Sequence, residues 1–177
     1  MTVCSDVGLS NPPSYRVFVG DCIEQMRHLG DQSINCVVTS PPYFGLRDYN
    51  HEEQIGAEGT PEAYVARLVE VFREVWRVLR DDGTVWLNLG DSYAANRTYQ
   101  VPSIKGGPKH GPGQSAGGSG SIVPEGLKPK DLIGIPWRVA FALQADGWHL
   151  RQDIIWHKPN PMPESVRDRC TKAHEYV

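Results

Sequence analysis

Apolar and polar positions change rhythm several times along this chain of 177 residues. Tyr15, Val17, Phe18 and Val19 form a short run of β-formers that stops at Gly20 and Asp21, which predicts a strand over 15–19. Residues 22–29 place Ile23, Met26 and Leu29 on one helical face. A second strand is expected over 34–39, where Val37 and Val38 are apolar neighbours, the pattern of a parallel strand covered on both faces. Ser40, Pro41, Pro42 and Tyr43 stop it abruptly, and a long loop runs on to Gly59. The clearest element is a helix over 61–80, with Thr60 as N-cap and Pro61 in the first turn. Within it Val65, Leu68, Val69, Phe72, Trp76 and Leu79 recur every three or four residues. Asp82 and Gly83 are expected to end that helix, with Gly83 just past its C-cap, before a third strand over 84–89.

Residues 94–126 break the pattern: Gly, Ser and Pro dominate, which predicts a mobile loop. A helix over 132–146 follows, apolar on most sides through Trp137, Val139, Phe141 and Leu143, with Pro136 in its true first turn and Gly147 at its end. Residues 148–156 read as a strand, Pro159, Pro161 and Pro163 as a rigid turn, and His174 as the start of another strand. Strands alternating with helices predict one α/β domain over 1–177 with a doubly wound sheet.

Composition narrows the class. The chain is 40% hydrophobic and 22% charged, an ordinary globular balance. No apolar run approaches the roughly 20 residues of a membrane span, and the first ten residues lack the basic and apolar regions of a secretory signal. The four cysteines have no CxxC spacing, so no zinc clip or thioredoxin-type motif is predicted, no metal is expected, and reduced thiols in a cytoplasmic protein are the simplest reading. The net charge of -3 hides a division. Residues 1–92 carry 14 acidic and 7 basic side chains, and residues 93–177 carry 7 acidic and 11 basic. A basic second half is equally compatible with a phosphate-bearing partner and with a solvated loop.

The strongest local signal is Thr39, Ser40, Pro41, Pro42 and Tyr43 at the C-terminal end of a strand, the edge where open α/β sheets place ligands. An exocyclic base amine is a poor nucleophile because its lone pair is delocalised into the ring. Two acceptors aimed at its N–H bonds push the nitrogen toward tetrahedral geometry and free that lone pair. The Ser40 hydroxyl and the Pro41 carbonyl suit that task, and the paired prolines stiffen the turn that presents them. Tyr43 offers a ring face for a flipped base.

The chain resembles the S-adenosylmethionine-dependent DNA amino-methyltransferases whose catalytic region precedes the cofactor region. The matching blocks run in order from Gly20-Asp21 through the Ser40-Pro41-Pro42-Tyr43 turn, Gln54 to Gly56, Asp82-Gly83, Asn88 to Tyr93, Lys130 to Trp137, Gly147-Trp148 and Ile154 to Asn160, to His174-Glu175. The resemblance implies a Rossmann-like class I methyltransferase sheet of order 3-2-1-4-5-7-6, with strand 7 antiparallel. It identifies Ser40, Pro41, Pro42 and Tyr43 as the catalytic turn, and Asp21 with Thr39 as the side that meets S-adenosyl-L-methionine. Without the family, Asp21 is simply a turn carboxylate and Trp156 a residue equally suited to the core. With it, Trp156, Lys158 and Asn160 are expected to line the base side of a cleft in contact with double-stranded DNA. Arg97, Lys105, Lys109, Lys128 and Lys130 would form a basic flap over DNA phosphates, or an idle surface loop.

Ser40, where adenine-modifying relatives more typically carry Asp, points to cytosine N4, with adenine N6 as the alternative. Carbon-5 methylation is set aside, because no cysteine follows a proline to serve as nucleophile. The family's Phe-x-Gly-x-Gly cofactor loop is not found, so strands 1 and 2 are expected to be missing, and a C-terminal half or a second chain is expected to supply them. Two rival readings remain: the same fold acting on RNA or a protein glutamine, and a non-catalytic fragment that binds DNA or a complementing chain.

Overall fold

The computed structural model describes residues 15–49, 51, 53–94 and 123–177. Helix α1 (Cys22–Met26) is capped by Asp21, whose Oδ1 accepts from the Ile23 and Glu24 amides at 3.0 and 3.1 Å. Strand β1 (Ile34–Thr39) leads into the proline turn. Helix α2 (Pro61–Val78) starts as its sequence predicts: the Thr60 hydroxyl accepts from the Ala63 amide at 3.1 Å, and Pro61 lies in the first turn, where its missing N–H is not needed.

The end of α2 differs from expectation. Leu79 is the C-cap in extended conformation, and β2 (Leu79–Leu87) begins there without a glycine stop. Asp82 and Gly83 lie inside β2 rather than closing the helix. The reason is tertiary: Leu79 is buried and pairs with Ile34 of β1, so the chain turns directly from helix to ladder. The buried face of α2 is also rotated from the expected stripe. Tyr64, Leu68, Phe72, Val75 and Val78 face the core, whereas Trp76 is half exposed and meets Trp148 edge-on at 4.8 Å.

Strands β1 and β2 run parallel, with Cys36 to Thr39 opposite Thr84 to Leu87. Side chains alternate between the two faces. Val37, Val85 and Leu87 pack against the helical core, while Val38 is 78% exposed and Trp86 half exposed. The expectation that β1 is covered on both faces is therefore corrected, because the described helices cover one. Residues 15–19 also depart from expectation: they form no strand, and Tyr15, Val17 and Val19 are exposed.

Helix α3 (Ile135–Ala145) is shorter than the stretch over 132–146, and it buries Ile135, Pro136, Val139 and Leu143 against α2. Trp137 and Phe141 lie partly exposed, Trp137 against Tyr176 at 5.3 Å. The strand expected over 148–156 is reduced to β3 (Ile155–His157), which runs antiparallel to β4 (His174–Tyr176), because pairing with that segment starts only at Ile154, bonded to Val177 at 2.8 and 3.0 Å. A bridge between Leu89 and Tyr176, closed by backbone bonds of 2.9 and 3.3 Å, links β4 antiparallel to the continuation of β2. The strands thus follow one another as β1-β2-β4-β3. No helix among the described residues is long and apolar enough to cross a membrane.

Candidate active site

The turn at residues 40–43 leaves the C-terminal end of β1 and is braced from several directions. Phe44 is buried and packs on Tyr64 with ring centres 5.6 Å apart, anchoring the exit of the turn in the core. Tyr64 is fully buried, and its hydroxyl donates to the Pro42 carbonyl at 2.9 Å. Burial pushes the Tyr64 phenol far above its ordinary range, with the nearby Glu58 acting the same way, so it stays a donor at any physiological pH. The Ser92 hydroxyl donates to the Phe44 carbonyl at 3.3 Å. Two glycines let the turn approach its supports. At Gly56, where φ is +97°, a Cβ would stand 2.9 Å from the Tyr43 carbonyl oxygen. At Gly90 it would stand 2.4 Å from Cε2 of the Tyr43 ring.

Asn88, one residue beyond β2, ties this turn to β4. Its Oδ1 accepts from the Tyr43 hydroxyl at 2.7 Å and from the Ser40 hydroxyl at 3.2 Å, while its Nδ2 donates to the Tyr176 carbonyl at 3.1 Å. Glu175 of β4 also faces the Tyr43 phenol and forms an ion pair with Lys158. Burial first, and then Glu175, raise the Tyr43 phenol above its ordinary value. Among the described residues, no hydrogen bond uses the Pro41 carbonyl. Ser40 is exposed, and Pro41 and Tyr43 are half-buried. A small planar group carrying two N–H donors could therefore meet an exposed hydroxyl and an unused carbonyl on a stiff turn.

Asp91 has a separate task. Gly134, the N-cap of α3, has no side chain to cap the helix, and the Asp91 carboxylate accepts from the Gly134 and Ile135 amides at 3.0 Å instead. Close by, the Lys172 Nζ is buried with no hydrogen-bond partner among the described residues. Burial pushes its ammonium below the ordinary value, while Asp91 and Glu175 act in the opposite direction.

The residues singled out from sequence divide into three groups. Ser40, Pro41, Pro42, Tyr43 and Lys158 come together, and Thr39 joins them through its carbonyl, which accepts the Asn88 amide at 2.9 Å. Asp21 is placed apart: it caps α1, lies 3.7 Å from Arg67 and makes no hydrogen bond to the turn. Trp156 is 61% exposed, and Asn160 is exposed too. Lys128 and Lys130 are also on the surface, each paired with a carboxylate, Asp131 and Asp168 respectively. Arg97, Lys105 and Lys109 lie outside the described residues. Sequence reasoning assigns no role to Asn88, Tyr64 or Glu175. A polar residue at the C-terminal end of the strand beside β1 is the signal that would have found Asn88. No group of three or more His, Cys, Asp or Glu that could hold a metal occurs among the described residues.

Comparison with known proteins bears on this site. A family model described as DNA methylase matches residues 34–177. The Type II methyltransferase M.Cfr9I of Citrobacter freundii is 54% identical over 162 residues, which is 91% of this chain and 52% of that protein. The Type II methyltransferase M.SmaI of Serratia marcescens is 54% identical over 172 residues, 95% of this chain and 56% of that protein. The chain spans about half the length of the curated relatives it matches. Among solved structures, a putative DNA modification methylase of Thermus thermophilus, complexed with S-adenosyl-L-methionine, matches with a TM-score of 0.55 at 23% identity, covering 89% of this chain and 51% of that one. The cytosine-N4-specific PvuII DNA methyltransferase matches with a TM-score of 0.57 at 17% identity, covering 90% and 46%. These two likenesses show the fold, the Rossmann-like arrangement of class I methyltransferases.

Proposed function

This chain belongs to the DNA methylase family, and from that premise we propose that it forms the base-holding part of a Type II enzyme that methylates the exocyclic N4 of cytosine in double-stranded DNA. The main support is the turn itself: an exposed Ser40 hydroxyl and an unused Pro41 carbonyl, held rigid by Tyr64 and Asn88. Two fixed acceptors can grip both N–H bonds of a base amine, which draws its lone pair out of conjugation. Tyr43 sits at the same turn, with its ring packed against Gly90 on one side, and supplies an aromatic surface beside a base taken out of the stack. Bound S-adenosyl-L-methionine would supply an activated methyl group. Asp21 would meet part of that cofactor: the carboxylate is partly exposed, with its Oδ1 occupied by the helix amides and its Oδ2 3.7 Å from the Arg67 guanidinium. Thr39 would stand between the two sides.

Ser40 favours cytosine over adenine, since adenine-modifying relatives more typically carry Asp there. The cytosine-N4-specific enzyme among the structural likenesses points the same way. Lys128, Lys130, Trp156, Lys158 and Asn160 would face the DNA, together with Arg97, Lys105 and Lys109 of the flap. The rest of the cofactor site, including the strands expected on the open side of β1, would come from the remaining half of the protein or from a second chain. The test is digestion of DNA treated with the complemented protein, with the nucleosides resolved by mass spectrometry. N4-methylcytosine is the expected product, and N6-methyladenine alone would overturn the assignment.

A further inference from the structure

The Asn88 carboxamide has a fixed orientation. Two donors converge on the Tyr176 carbonyl, the Leu89 amide at 2.9 Å and Asn88 Nδ2 at 3.1 Å. Rotating the amide by half a turn would set its oxygen against that carbonyl oxygen and lose the bond. Oδ1 must therefore face the turn, where it takes the hydroxyl protons of Ser40 and Tyr43 together. A hydroxyl has one proton to donate and two lone pairs. Once the proton is committed to Asn88, the exposed side of the Ser40 oxygen carries lone pairs only.

We infer that Asn88 is a positioning residue that makes Ser40 an obligate acceptor, so that the turn takes a ligand group with N–H donors and rejects a carbonyl oxygen at the same place. This rests on the proposed methyl transfer for its kinetic consequence, but not for the hydrogen bonds themselves. The Asn88 side chain has two separable jobs, accepting at Oδ1 and tying β2 to β4 through Nδ2. In Asn88→Ala both are lost, and the Ser40 proton is free to rotate toward the substrate. In Asn88→Asp an acceptor remains for Ser40 and Tyr43, while the donor to Tyr176 is replaced by a repelling oxygen.

Two measurements test this. In the first, NMR of the Asn88 side-chain carbonyl carbon is compared in wild type, Ser40→Ala and Tyr43→Phe. An upfield shift in each variant is expected, because each removes one accepted hydrogen bond. No shift in either would overturn the inference whether or not the protein methylates DNA. In the second, methyl transfer is measured with the complemented protein. Asn88→Ala should lower kcat by about tenfold or more with KM little changed, and Asn88→Asp should recover most of that loss despite weaker thermal stability. A purely structural tie gives the reverse order, with Asn88→Asp no better than Asn88→Ala, and that order would overturn the positioning role. Absence of transfer in wild type would count against the proposed function alone, since the carbonyl shift still decides the hydrogen bonds.

Discussion

Two turns of this molecule carry candidate ligand residues, and they are built in opposite ways. The Ser40–Tyr43 turn is held by contacts from far along the chain: Tyr64 on α2, Asn88 beyond β2, and two glycines that let neighbouring backbone approach. The Asp21 turn is held by its own neighbours, the first amides of a five-residue helix and a distant Arg67. The segment before it, over 15–19, leaves Tyr15, Val17 and Val19 in solvent. Pre-organisation is therefore strong on the side assigned to the base and weak on the side assigned to the cofactor. The difference matches a chain that spans about half the length of its relatives.

That contrast can be broken most sharply at Gly90. A methyl group there meets the Tyr43 ring at 2.4 Å, too close for any small adjustment. Gly90→Ala should displace the ring and lower kcat by roughly a hundredfold, comparable to loss of a pre-organised group, while DNA binding measured by fluorescence anisotropy persists. A smaller effect is expected at Tyr64. Tyr64→Phe removes the bond to Pro42 and leaves a partly buried carbonyl unmatched. Urea denaturation should report about 1–2 kcal/mol of lost stability, seen as a lower midpoint at unchanged slope.

Asp21→Ala probes the other turn. Its cap is exposed, so the stability loss should be at most about 1 kcal/mol. Its main effect should fall on the KM for S-adenosyl-L-methionine, with kcat nearly retained. Equal kinetic damage at Asp21 and Gly90 would erase the distinction between the two turns. The smallest effect concerns Lys172. Burial lowers its pKa in the folded protein below the ordinary 10.5, so the unfolded chain binds the extra proton. Stability should therefore rise as pH climbs toward 10.5 and level off above it. Thermal melts of Lys172→Met should show that rise flattened.

Much of this is legible in the sequence, and the exceptions have physical causes. Helix α2 is plain because Thr60, Pro61 and its apolar spacing are local signals that agree. The end of α2 is not, because Asp82 and Gly83 suggest a stop, while the pairing of Leu79 with Ile34 decides where the strand begins. Strand β3 is shorter than Leu150 suggests, because backbone pairing sets strand length and the pairing with the segment of β4 starts only at Ile154. The site shows the same division. Ser40 to Tyr43 stand out because consecutive prolines after a strand are rare and mechanically meaningful. Asn88 stands out less, because its importance arises from closing a gap of 48 residues in sequence, and its place at the end of the strand beside β1 is the one signal for it.

The central claim is that Ser40 grips the reacting amine. It is tested most directly by single-turnover methyl transfer in Ser40→Ala beside wild type, with saturating S-adenosyl-L-methionine and the proposed complementing part supplied to both. A loss of about 3 kcal/mol of transition-state stabilisation, more than a hundredfold in rate, is expected with DNA affinity unchanged. A Ser40→Ala protein that transfers methyl groups at the wild-type rate would contradict the account.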